Sequence, residues 1–224
     1  PVKDDTSFDS KQSDNPFFKC TDLGNAERLV ALHSQDLRYC YPWSKWLIWT
    51  GKRWMPDEQG EVERRAKLTV RAICREITPA MDGDRAKALL KHASTSESDS
   101  RLKAMVNLAR MDLPIIPGDL DRDHFLFNVL NGTVDLRTSE LLPHRREDFI
   151  GKIAQVEFDQ NARCPVWLNF LDRIFNGSLE LINYIQRVVG YALTGDTTAQ
   201  CFFLLWGTGA NGKSTFLETI RILA

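Results

Sequence analysis

A chain of 224 residues, 43% hydrophobic and 26% charged, can bury one sizeable core or two smaller ones and is too apolar for wholesale disorder. A formal net charge of −1 excludes a uniformly basic nucleic-acid coat, although charges can still segregate to one face. There is no secretory signal, no run of about twenty apolar residues and no CxxC pair among the five scattered cysteines, so the chain reads as soluble and cytoplasmic, without a disulfide framework or zinc knuckle.

Residues 1–20 are polar and read as a linker. A short helix is expected from Asp22 through Leu32. The aromatic stretch Arg38 to Pro56 predicts a hairpin, with strands around Trp46–Trp49 and Arg53–Met55 flanking Thr50-Gly51-Lys52. Two uses of its tryptophans compete. Exposed Trp43, Trp46, Trp49 and Trp54 beside Lys45, Lys52 and Arg53 would stack single-stranded bases. Buried, they would build a core, the favoured reading, because four exposed tryptophans would leave a large apolar patch. Glu61 to Ile77 has the spacing of an amphipathic helix with Val62, Ala66, Thr69, Val70, Ile73 and Ile77 on one side. Its Arg64, Arg65, Lys67, Arg71 and Arg75 offer a backbone-contacting stripe or, as favoured, a solvated face diluted by Glu61, Glu63 and Glu76.

Thr78-Pro79 stops that helix, and further helices are expected over Asp84–His92 and Ser96–Ala109, the latter with Ser96 and Asp99 as a capping pair. Asp119, Asp121 and Asp123 alternate like metal ligands but lack a calcium loop's glycine and distal glutamate, so they read as loop. Phe127–Leu130 and Thr133–Leu136 predict a hairpin closed by Asn131-Gly132 in a primed turn, with Lys152–Phe158 as a third strand. Asn128 and Asp135 are expected to satisfy nearby backbone or line a surface. His144 with Arg145 and Arg146 forms a small basic patch or solvated surface. Character changes near residue 160, where a domain boundary is placed. Helices are expected over Pro165–Phe175 and Ser178–Leu193.

The last segment carries the chemistry. Cys201–Trp206 has strand composition, and Thr215–Leu223 has helical spacing. Between them Gly207-Thr-Gly-Ala-Asn-Gly-Lys-Ser214 fits G-x-x-x-x-G-K-[ST] at every fixed position. Glycines at 207, 209 and 212 let the backbone turn its N–H groups toward an anion, and the following helix adds its positive end. The pattern assigns ATP to Gly207, Thr208, Gly209, Ala210, Asn211, Gly212, Lys213, Ser214 and Thr215. Lys213 is the residue that stabilises the transferring phosphoryl group, and Ser214 is the Mg²⁺ ligand. The alternatives are a glycine-rich turn that binds nothing, or phosphate binding without hydrolysis. No strands follow to flank the loop and supply an acidic pair. The segment is therefore expected to belong to a motor cut shortly after its first nucleotide-binding element, and this chain alone is not expected to turn over ATP.

Several of these segments carry a family likeness. Asn128-Val-Leu-Asn-Gly-Thr-Val-Asp-Leu-Arg137 resembles a segment of the domain named after the N-terminal region of the poxvirus D5 primase-helicase. Trp46-Leu-Ile-Trp-Thr-Gly-Lys-Arg-Trp54 resembles that domain's early W…GxxW element. Tyr184 through Gly195 and on to Ser214 is similar to the entry of a superfamily 3 helicase module. The likeness spans about residues 21–224, and it departs at Gly151, often threonine in the family, and at Thr208, commonly proline. It implies a mixed α/β (α+β) chain: a D5 N-terminal-like domain over 21–160, helical with small antiparallel hairpins, then over 161–224 helices and the first strand–loop–helix of a truncated AAA+-like core. It also implies a phage- or plasmid-encoded replication protein that works in a bacterial host. The parent would form a hexameric ring around single-stranded or fork DNA and unwind it with ATP, with any primase upstream. Asn211 would shape the loop. Two further classes remain open, a single-stranded DNA-binding module and an oligomerisation platform without motor activity.

Overall fold

The computed structural model describes residues 18–207, 209 and 211–223, which leaves most of the expected linker outside the described residues. The chain is α+β, with helices and two small sheets, as expected. By contacts it divides into two units, Pro1–Ser34 with Glu63–Asp112, and Gln35–Val62 with Leu113–Ala224.

The first unit is helical. It holds α1 (Asp22–His33), most of α2 (Glu61–Ala72, continued by a 3-10 turn over Ile73–Glu76), α3 (Gly83–Ser96) and α4 (Asp99–Ala109). Thr21 caps α1 by accepting from the Gly24 N–H at 3.0 Å. The apolar stripe of α2 is buried as its spacing predicts, with Ala66, Thr69 and Ile73 fully covered. One expectation is corrected. Ser96 does not cap the fourth helix; it ends α3, fully buried, and its hydroxyl accepts from Asn25 Nδ2 at 2.9 Å. A buried hydroxyl with that partner is held inside the unit, so α4 starts after Ser98 instead. Beside it His92 Nε2 bonds Asn25 Oδ1 at 2.8 Å. Burial first, then the nearby Arg28 and Arg101 charges, hold His92 below the usual histidine value.

In the second unit β1 (Leu37–Cys40), β2 (Lys45–Trp49), β3 (Trp54–Pro56) and β4 (Pro114–Ile115) form a sheet of order β3-β2-β1-β4, with β4 parallel to β1. Trp49 pairs with Trp54 across the predicted hairpin, whose Gly51 has φ 90°. The tryptophans serve the core: Trp46 is 8% and Trp54 2% exposed, and Trp54 joins Cys40, Leu47 and Ile115 in one cluster. Trp43, at 45%, stays outside it. Trp54 stacks on Phe149 with ring centroids 5.7 Å apart, and its Nε1 donates to the Arg146 carbonyl at 2.8 Å.

The second sheet, β5 (Leu126–Val129), β6 (Gly132–Asp135) and β7 (Glu140–Leu142), corrects two expectations. Val129 pairs with Gly132, so the turn is Leu130-Asn131, and neither it nor Gly132 has the positive φ of a primed turn. Glycine is required there by close approach, since a Cβ on Gly132 would lie 2.5 Å from the Leu142 carbonyl oxygen. The third strand is β7. Residues 152–158 run beside β5 with isolated bonds, Ala154 N–H to Asn128 O at 2.9 Å and Leu130 N–H to Val156 O at 2.8 Å, but form no ladder.

Asn128 ties this unit together. Its Nδ2 donates to the Lys52 carbonyl at 3.1 Å and to the Lys152 carbonyl at 2.9 Å. Those acceptors fix the amide orientation, so Oδ1 accepts from Thr133 Oγ1 at 3.2 Å and from His144 Nδ1 at 2.9 Å. His144 is thus an internal partner rather than part of a solvated patch. Asp121 accepts from the Gly151 N–H at 2.8 Å, while Asp123 pairs with Arg137 at 2.6 Å. Among the described residues no group of three or more His, Cys, Asp or Glu is placed to hold a metal ion.

Three helices complete the unit, α5 (Pro165–Ile174), α6 (Leu179–Thr194) and α7 (Lys213–Leu223). Asn176 and Gly177, at φ 51° and 73°, end α5, and Ser178 caps α6. The strand expected over Cys201–Trp206 does not form. These residues carry no ladder hydrogen bonds, and Phe202, Leu204 and Trp206 are more than three-quarters exposed. A strand exists only through its pairing, and no described strand lies beside this run. No helix among the described residues is long and apolar enough to cross a membrane.

Candidate functional site: a glycine-rich loop at the start of a helix

The loop turns through Gly209 at φ 92° and Gly212 at φ 82°, conformations that residues with a Cβ adopt only with strain. Gly207 needs no positive φ; a Cβ there would meet the Asn211 side chain. The Lys213 ammonium donates to the Gly207 carbonyl at 3.1 Å and to Asn211 Oδ1 at 2.8 Å, which leaves one of its three hydrogens. Asn211 therefore shapes the loop through the lysine.

The first helical bond of α7 runs from the Phe216 N–H to the Gly212 carbonyl at 2.9 Å. The N–H groups of Lys213, Ser214 and Thr215 precede it, so they can face an anion at the positive end of the helix. Ser214 and Thr215 are exposed, and the Ser214 hydroxyl has no hydrogen-bond partner among the described residues. One hydroxyl oxygen suits Mg²⁺, which usually takes few protein ligands and completes its octahedron with water and phosphate oxygens.

The exit of the loop is pinned to α5. A Cβ on Gly212 would fall 2.8 Å from Ile174 Cγ2 and 3.1 Å from Phe170 Cε2. Trp167 stacks on Phe170 and Phe216, with centroids 5.4 and 5.7 Å away. Between loop and helix lies a hollow of about 870 Å³, lined by Phe170, Arg173 and Ile174 and by Gly209 and residues 211–215. Of the residues that the motif assigns to nucleotide, Gly209, Asn211, Gly212, Lys213, Ser214 and Thr215 border this one hollow, and Gly207 bonds Lys213 at its edge. Thr208 and Ala210 lie outside the described residues. Arg173 was not legible as a site residue, since no motif links it to the loop.

An α+β chain with a tryptophan hairpin, a second three-stranded sheet and a helix pair ahead of a glycine loop defines the class. The D5 N terminal like family matches residues 26–176, and the chain belongs to that family. The match takes in α1 from its second turn, the other three helices of the first unit, both sheets and α5, and stops before the loop. A protein of Acanthamoeba polyphaga mimivirus whose name places it provisionally among helicases is 24% identical over 106 residues, covering 46% of this chain. The chain spans 11% of that relative's length.

Proposed function

We propose that this chain supplies the accessory domain and the ATP-binding loop of a replicative DNA helicase. The observation that supports the proposal is the loop: Gly209 and Gly212 take positive φ, and Lys213, Ser214 and Thr215 at the start of α7 border one hollow. Residues 207–215 would hold the polyphosphate, and Ser214 would hold Mg²⁺, which when bound neutralises phosphate charge. The Lys213 ammonium places its positive charge where negative charge grows on the transferring phosphoryl group. Ring formation and DNA unwinding by the whole protein, and its phage or plasmid origin, belong to the same proposal. A titration with a fluorescent ATP analogue tests the loop. Saturable binding that weakens at least tenfold in Lys213→Ala is expected, and absence of binding by the unaltered chain refutes the reading.

A specific observation favours DNA contact by the first unit. Arg64, Lys67, Arg71 and Arg75 of α2 and its 3-10 extension are all exposed. At about 100° per residue, Arg64 and Arg71 fall within about 20° of one another on the α-helical part, and Arg75 follows on the 3-10 extension. Glu76, which seemed to dilute the stripe, is bound to Arg28 instead. Four phosphate contacts give a log–log salt slope of about −2.8 on single strands. Replacing the four by glutamine should flatten that slope; an unchanged slope excludes the stripe.

A further inference from the structure

Two cations border the loop hollow, and the motif accounts for only one. Arg173 lies in the last turn of α5, exposed, and its guanidinium makes no hydrogen bond or ion pair among the described residues. A cation at a helix C-terminus is favourable in itself, but that does not explain its presence at the wall of this hollow. The packing does. Phe170 and Ile174, on either side of Arg173 in sequence, are the residues that leave Gly212 no room for a Cβ. The turn that pins the loop therefore also carries the guanidinium to the hollow's edge. Among the described residues no carboxylate lines this hollow, which Lys213 and Arg173 both border.

Two like charges around one hollow are mutually unfavourable until an anion joins them, and a chain of phosphates can reach both. Guanidinium suits this role because its fixed fork of donors matches phosphate oxygens in pairs. We propose that Arg173 is a second phosphate-binding residue and that, with Lys213, it grips the polyphosphate of a nucleoside di- or triphosphate. The inference rests on the nucleotide-binding reading of the loop. It adds that the last turn of α5, within the segment matched by the family, touches the ligand of a loop outside that match.

The experiment compares the unaltered chain with Lys213→Ala, Arg173→Gln and Arg173→Lys. Each is titrated with a fluorescent ATP analogue, with inorganic tripolyphosphate as competitor, at several salt concentrations. Arg173→Gln should weaken the analogue and tripolyphosphate alike by about tenfold and lower the salt slope by about one. Arg173→Lys should recover part of the affinity, because it restores the charge without the fork. No binding by the unaltered chain overturns the nucleotide reading itself. Binding that falls in Lys213→Ala but stays within twofold in Arg173→Gln overturns only the role of Arg173. If Arg173→Gln unfolds, the lysine variant decides: unaltered affinity for tripolyphosphate and loss of melting temperature alone would mark a structural residue.

Discussion

Asn128 lies in the buried centre of the second unit, and its removal has a calculable effect. The side chain is 4% exposed and makes four hydrogen bonds, to Lys52 O, Lys152 O, Thr133 Oγ1 and His144 Nδ1. In Asn128→Ala the partners do not suffer equally. Lys52 and Lys152 are exposed residues whose carbonyls water can reach, so each loss costs about 0.5 kcal/mol. Thr133 is 1% exposed and His144 half-buried; leaving their donors unpaired costs about 1 kcal/mol each at least. The sum is about 3 kcal/mol, or about a hundredfold in the unfolding equilibrium. All six tryptophans of the sequence lie in this unit, so intrinsic fluorescence during urea unfolding reports it without interference from the other. With a denaturant slope of about 2 kcal/mol per molar, the midpoint should fall by about 1.5 M. Asn128→Asp sets a carboxylate oxygen against the Lys52 and Lys152 carbonyls in a buried site, so it should destabilise at least as much. A midpoint within about 0.3 M of the unaltered protein would show that the network does not hold this unit together.

The helical unit should weaken in acid. His92 has its folded pKa depressed, so the unfolded chain binds the proton first; stability present above about pH 6.5 is lost as pH falls below it. Urea unfolding followed by far-UV circular dichroism should show that dependence in the unaltered chain, and His92→Gln should flatten it. Glu76→Gln leaves the 2%-exposed Arg28 side chain without the carboxylate that holds its Nε at 2.5 Å. A loss of about 2–3 kcal/mol, read as a melting temperature lower by about 10 °C or more, is expected, tempered by the partial exposure of Glu76. Gly132→Ala and Gly132→Asn should both destabilise by about 1–3 kcal/mol in fluorescence-monitored unfolding, because any Cβ meets the Leu142 carbonyl. A tolerated asparagine would instead indicate the primed turn expected from Asn131-Gly132.

Much of the architecture is legible in local signals. The α2 stripe, the Thr50-Gly51-Lys52 hairpin, the Ser178 cap and the Asn176-Gly177 stop depend on residues within a few positions of one another, and the structure reproduces them. In the loop, Gly209 and Gly212 take positive φ. What local pattern did not reach depends on partners distant in sequence. The register of β5 and β6 is set with β7 in place, and close approach of Leu142 takes Gly132 out of the turn. Ser96 is drawn into a buried network by Asn25, against its preference for a cap. The apolar run before the loop forms no strand, because pairing is supplied by a neighbour and not by composition. Sequence by itself determined most of the helices, the tryptophan hairpin and its core, since short-range sterics and periodic burial specify these. Only the tertiary structure decided that Asn128 joins four segments and that Arg173 borders the same hollow as Lys213, because hydrogen bonds and charges meet through space after the chain has folded.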